Sequence, residues 1–284
     1  MRMMNPVLQK EFKLRFRSKK PIISLLAYLS AIGILILGFI YLQTLSNPSG
    51  YFHPSESKTM FMLLSFLQAI LVLFITPGLT AGVISSERER QTLNILLTTN
   101  QSSTSIIIGK LVSSLSYLLL LILASLPLYS FVFLFGGVSP VTIIQVFGFY
   151  IFTMFAFGSI GVFLSTVIRR TIISMVTTYA TTLFLAGGTA FLLVILIGLS
   201  ESQQILTLNV LAYFIASLNP IIVFASIFDY SFLEGLYEMT NISIPIWASY
   251  IFLYTLAAIT ALFFSVKKLR PSMKSLSSQK KPDA

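Results

Sequence analysis

Six stretches of this chain are each apolar over a membrane's thickness, and that leaves few ways to fold it. They run over 21–42, 60–84, 106–135, 141–168, 171–199 and 246–266. About 20 helical residues rising ~1.5 Å each cross a hydrocarbon core of ~30 Å. Each stretch therefore predicts one transmembrane helix, and the chain as a whole an all-α integral membrane protein with a transmembrane domain over 21–266. Composition points the same way: the 284 residues are 56% hydrophobic and only 10% charged, where a soluble domain carries about 25% charged residues. One water-soluble core could not hide that much apolar surface. Pro77 and Pro127 mark expected kinks in the second and third spans.

The charges then orient the spans. The formal net charge is +10, and the basic residues sit at the ends of the apolar runs. With the N-terminus in the cytoplasm, Arg2, Lys10, Lys13, Arg15, Arg17, Lys19, Lys20, Arg88, Arg90, Lys110, Arg169, Arg170 and the tail all fall on one side. The other side holds Lys58 alone among the basic residues, with Glu56, Glu201, Asp229, Glu234 and Glu238. This is the positive-inside pattern for six spans with both ends cytoplasmic. No aromatic–basic surface remains once the spans are set aside, so no nucleic-acid partner is expected.

Three flanking segments carry their own signals. Residues 1–20 predict a cytoplasmic in-plane helix capped at Asn5–Pro6, with Leu8, Phe12 and Phe16 on one face and Arg15 among the interleaved basic residues. The alternative is a plain basic flank. The first apolar run has membrane length and no small-residue cleavage pattern after it, so it reads as a span and not as a signal peptide. Residues 205–228 are apolar and long enough to cross, but Asn219–Pro220 interrupts them midway. They read as an outer re-entrant helical hairpin between helices five and six; a seventh span is the alternative, and it would move the basic tail 267–284 to the wrong side.

Several chemistries lack their residues. The spans read as free of Asp, Glu, Lys, Arg and His, which leaves no ionisable group for an ion-coupled carrier. His53 is the only histidine, which excludes a two-histidine zinc helix. There is no cysteine, hence no disulfide or thiolate metal site. Gly109–Lys110 is not a phosphate-binding loop, because Thr104 stands where its first glycine belongs and Leu111 where Ser or Thr is required. No catalytic or metal site is expected on this chain.

The loop 85–105 is different. Glu87, Arg88, Glu89 and Arg90 alternate in sign, Gln91 and Thr92 follow, and Leu93, Leu96 and Leu97 make a small apolar face. Fixing topology needs only basic residues, so the alternation predicts a short helix that docks on another protein; a solvated loop is the other reading. This stretch resembles the motif after span two in the membrane subunits of type-2 ABC transporters, mostly exporters. That motif has glutamate at Glu87 and Glu89, a basic residue at Arg90, and threonine and leucines at Thr92, Leu93, Leu96 and Leu97. Ile108-Gly109-Lys110-Leu111 matches the family's entry into span three. Gln91 replaces the family's common glycine, and Thr99–Asn100 its frequent Thr-Pro.

The resemblance implies a permease subunit of the plasma membrane, not itself an enzyme, paired with a second copy or a paralogue. ATP and magnesium would bind a separate ATP-binding subunit, and Glu87 to Leu97 would be the coupling helix seated in that subunit. The re-entrant break at Asn219–Pro220 would shape the outer gate. Reversing Glu87 and Glu89 to arginine is expected to leave the chain inserted but uncoupled. A secondary transporter and a non-transporting scaffold or sensor subunit are the competing classes; an ATP-binding subunit docked at the loop separates them.

Overall fold

The computed structural model describes residues 19–46, 54–93, 97, 101–134, 136–203, 206–229, 234, 237, 242 and 244–269. The expected in-plane helix with Leu8, Phe12, Arg15 and Phe16 lies outside them, as do His53, Leu96 and the tail beyond Leu269.

Among the described residues the long elements are all helices. They are α1 (Lys20–Ser46), α2 (Pro54–Thr80), α3 (Ser85–Glu89), α4 (Ser103–Leu134), α5 (Pro140–Val167), α6 (Thr171–Leu183), α7 (Thr189–Gln203), α8 (Leu206–Leu218), α9 (Pro220–Ala225) and α10 (Ile246–Leu269). A π-turn over Phe184–Gly188 joins α6 to α7. Six helical runs are long and apolar enough to cross a membrane: Pro21–Leu45, Ser55–Glu89, Ser103–Ser130, Pro140–Val167, Thr171–Leu199 and Ile246–Leu269. The six expected spans are these six. Both α2 and α4 continue through their prolines, Pro77 and Pro127. Local sequence sets the starts of the later helices. Gly136 and Gly137 both take positive φ (82° and 83°) to turn the chain before α5. Pro140 then opens α5, with the Ser139 hydroxyl accepting from Val141 N–H at 3.3 Å.

The second, third and fourth spans form the core, with 50%, 61% and 61% of their apolar windows buried; the first and fifth have only 6% and 17%. The most extensive packing is of α10 on α5, followed by α2 on α5. Several polar side chains inside these spans are paired within the bundle, as hydrocarbon favours, whereas Ser65 Oγ, Ser113 Oγ and Tyr129 Oη are buried there without a hydrogen-bond partner among the described residues. Gln68 and Ser125 bond at 3.1 Å, Tyr150 donates to Ser65 O at 2.8 Å, and the Thr153 and Tyr250 hydroxyls meet at 2.9 Å.

The α2–α5 crossing depends on one missing side chain. A Cβ on Gly161 would overlap Thr80 Oγ1 and lie 3.0 Å from Thr80 Cβ. Gly161→Val forces these two core helices apart, and overpacking of this kind costs about 1–3 kcal/mol. Its expected outcome is a lower yield of monodisperse protein on size-exclusion chromatography; Thr80→Ala in the same chain should recover part of the loss.

The charge-free reading of the spans needs one correction. Lys110 lies within α4 and is only 4% exposed. It is tolerated there because a carboxylate from the loop after the second span reaches it.

Candidate functional site

The loop after the second span begins as an elbow held from two sides. Past Thr80 the chain turns through Ala81 and enters α3 at Ser85. The Ile84 and Ser85 N–H groups both donate to Ser165 Oγ, on α5, at 2.9 and 3.0 Å. Ser174 Oγ, on α6, donates to Ala81 O at 2.6 Å. Ile84, Ser85, Ser165 and Ser174 are all fully buried. A helix end cut off from water needs such partners for its free backbone groups.

The charged residues extend this grip. Glu87 Oε1 pairs with Lys110 Nζ at 3.0 Å, and the Thr92 hydroxyl donates to the same carboxylate. Arg88 Nη2 donates to Thr166 O, on α5, at 3.1 Å. Glu89 caps α6: Thr171 N–H donates to Oε1 at 2.9 Å and the Thr171 hydroxyl to Oε2 at 2.6 Å. A carboxylate there also meets the positive end of the helix. Three successive residues of α3 therefore bind three different helices of the same chain: α4, α5 and α6.

After α3 the backbone reverses at Gln91, whose φ is +58°. This left-handed position is the one where the resembling motif carries glycine, so the steric demand of the turn explains that preference. Leu93 and Leu97 are helical; Leu93 is buried and Leu97 half-buried against the core. Arg90, Gln91 and Thr92 are exposed.

The expected docking set thus divides. Arg90 sits on the surface; Glu87, Arg88 and Leu93 bond or pack within the chain; Glu89 and Thr92 are exposed and yet bonded to Thr171 and Glu87. Reversing Glu87 and Glu89 would break the internal bonds together with any external contact, so that substitution cannot report on docking alone.

The elbow also borders a cavity of about 900 Å³. Its walls bring Arg88, Gln91 and Leu97 together with Arg169 from the α5–α6 turn and Lys268 from the end of α10. Arg169 and Lys268 are far from the loop in sequence, where each looks like a topology charge. Nothing in their local pattern says that they share a groove with it. Ser165 and Ser174, which anchor the elbow, carry no sequence signal at all. Lys110 did carry one: it is the nearest basic residue to Glu87 outside the loop's own cluster.

A second constellation forms at the break expected at Asn219–Pro220. Asn219 is fully buried. Its Oδ1 accepts from Ile221 N–H and Ile222 N–H at 2.9 and 3.0 Å, capping α9, and Pro220 takes the first helical position. Its Nδ2 donates to Ala186 O at 2.6 Å and to Thr189 Oγ1 at 2.8 Å. Both acceptors lie at the π-turn of the fifth span, where Thr189 N–H bonds back to Phe184 O, five residues away. From the other side, Tyr254 Oη on α10 donates to Leu218 O at 2.7 Å. The break is thereby tied to the fifth and sixth spans by side chains from both.

Six membrane-length helices define a multi-pass membrane protein. The chain belongs to the ABC-2 family transporter proteins, whose family model matches residues 6–267. No curated protein matches its sequence. Membership makes it a membrane transport component that is not itself catalytic, and implies partnership with an ATP-binding subunit.

Proposed function

We propose that this chain is the permease half of an ATP-driven exporter of the plasma membrane. It works as a homodimer or with a paralogue, with both termini cytoplasmic, and ATP and magnesium bind the separate subunit. The in-plane helix over 1–20 and the re-entrant course of 205–228 are part of this reading. The charge pattern of the loops supports the orientation. The lack of ionisable groups deep in the spans favours an amphipathic or hydrophobic substrate over a small ion.

The observation that carries the proposal is the grip of α3 on α4, α5 and α6. A partner pressing on Arg90–Leu97 moves an elbow that is hydrogen-bonded to three helices at once. ATP-driven closure of the partner dimer would then be converted into displacement of whole spans, the kind of rigid-body change that switches access. The groove beside the elbow, where Arg88, Arg169 and Lys268 outnumber Glu89 around leucine side chains, suits an acidic partner surface with an apolar centre.

The test separates docking from internal bracing. Arg90, Arg169 and Lys268 are exposed, so Arg90→Glu with Arg169→Glu and Lys268→Glu should leave the chain folded and inserted. Co-purification of the ATP-binding subunit, identified by mass spectrometry with the wild-type chain, is expected to fall at least roughly tenfold, the equivalent of about 1.4 kcal/mol. Unchanged co-purification would refute this docking surface.

A further inference from the structure

We infer that the cleft between α5, α9 and α10 is a binding site for one acyl chain of a bilayer phospholipid, in the leaflet at the N-terminal end of α10. The inference is independent of the transport reading and of which side that leaflet faces.

The cleft holds about 470 Å³, within the range of ordinary small-molecule sites. Its back wall is aromatic and rigid. Tyr250 stacks on Phe149 with ring centroids 5.5 Å apart and meets Phe152 edge-on at 5.7 Å. The Tyr250 hydroxyl is turned away to Thr153, so the ring presents only its apolar body. The mouth opens sideways past Trp247 and Ile251, which are 54% and 44% exposed. In a membrane that opening faces lipid.

The polarity of the cleft runs in the direction a lipid would take. Its two polar lining residues are Gln145, near the start of α5, and Ser226, just past α9. Phe152 lies seven positions further along α5 than Gln145, about 10 Å deeper at ~1.5 Å per residue. Ile251 is likewise deeper on α10 than Trp247. A hydrogen-bonding rim above an aromatic, uncharged slot matches a glycerol-ester region above a hydrocarbon chain. The lining residues include no ionisable side chain other than the tyrosine whose hydroxyl is turned away, so the recognised part of the ligand is neutral. Water would find no partners along the aromatic wall.

One position lets the cleft be filled without disturbing the fold. Gly148 lines it, and a Cβ built there meets nothing within 4 Å. Gly148→Phe therefore places a ring where the acyl chain would lie.

Trp247 is the only tryptophan of the chain and stands at the mouth, so it reports on the site directly. The purified full-length chain, without nucleotide and stripped of lipid, is held in micelles of a non-lipid detergent and titrated with phosphatidylcholine brominated on its acyl chains. Trp247 fluorescence is then measured. A cleft that takes a phospholipid chain in preference to detergent gives quenching that saturates while the brominated lipid is still a small minority of the micelle. Gly148→Phe should weaken that saturable component at least roughly tenfold and leave the remaining quenching proportional to brominated fraction. Quenching proportional to mole fraction in the wild-type chain overturns the proposal; it is the result expected if a second copy, another part of the chain or a non-lipid solute fills the cleft. A saturable component untouched by Gly148→Phe overturns this location. Should Gly148→Phe fail to fold, the wild-type curve decides alone.

Discussion

Lys110→Glu is expected to destabilise the chain and to abolish ATPase activity in complex with its ATP-binding subunit, and adding Glu87→Lys should recover much of both. The single substitution replaces a 3.0 Å ion pair by two facing carboxylates. The side chains are 5% and 27% exposed, so the pair is shielded at one end and partly wet at the other. Breaking a buried pair by loss of one partner costs about 3–5 kcal/mol, and the exposure of Glu87 places this case at or below the lower bound. The charge swap restores the attraction but not the bond from the Thr92 hydroxyl to Glu87, so recovery should be incomplete. Thermal unfolding in detergent and nucleotide hydrolysis by the reconstituted complex are the two readouts. If Lys110→Glu is as stable and active as the natural chain, or the double variant is no better than the single one, the pair does not brace the elbow.

Asn219→Ala should be at least as damaging, for a different reason. It leaves the first turn of α9 uncapped and takes a donor from Ala186 O and Thr189 Oγ1, all inside the bundle. A lost cap costs about 0.5–2 kcal/mol, and a buried group left unsatisfied about 1–3 kcal/mol. Asn219→Asp separates the two roles. Its carboxylate can still accept from Ile221 and Ile222 N–H, but it cannot donate to Ala186 O and sets a charge against that carbonyl. If the tie to the π-turn matters, Asp will be no better than Ala in unfolding midpoint and in ATPase activity of the complex. If only the cap matters, Asp will behave like Asn. Mobility at the π-turn itself can be followed by hydrogen exchange of Leu185–Thr189, which should quicken in both variants when the tie is real.

Much of the architecture is legible in the order of residues, because hydrocarbon enforces a simple rule. A run of apolar residues of membrane length has to be a helix, so span number and the broken segment at Asn219–Pro220 follow from local pattern. Pro220 cannot continue α8, and Asn219 is a good cap for what comes next; no tertiary information is needed for that. The turn at Gln91 is half legible. The glycine preference of the resembling motif hints at a left-handed residue, and the φ of +58° at Gln91 supplies its reason.

The roles of the loop charges are not legible in this way. Glu87, Arg88 and Glu89 look alike in sequence, a solvated run with alternating sign. Which of them meets a partner and which meets the chain itself depends on what lies across from each. Lys110 is 23 residues from Glu87, and Thr171 is 82 residues from Glu89. Those distances are closed only when α4, α5 and α6 pack around the end of the second span.

The same holds for Asn219. Its chemistry as a cap is local, but its amide finds Ala186 and Thr189 only because α8 folds back along α7. By itself, then, the sequence determined the number of spans and the place where α8 must stop, since these follow from the transfer of each residue between water and lipid and from the missing N–H of proline. The tertiary structure alone decided which charges brace the elbow, which remain exposed around a groove, and where the π-turn is held, because each depends on side chains brought together from distant spans.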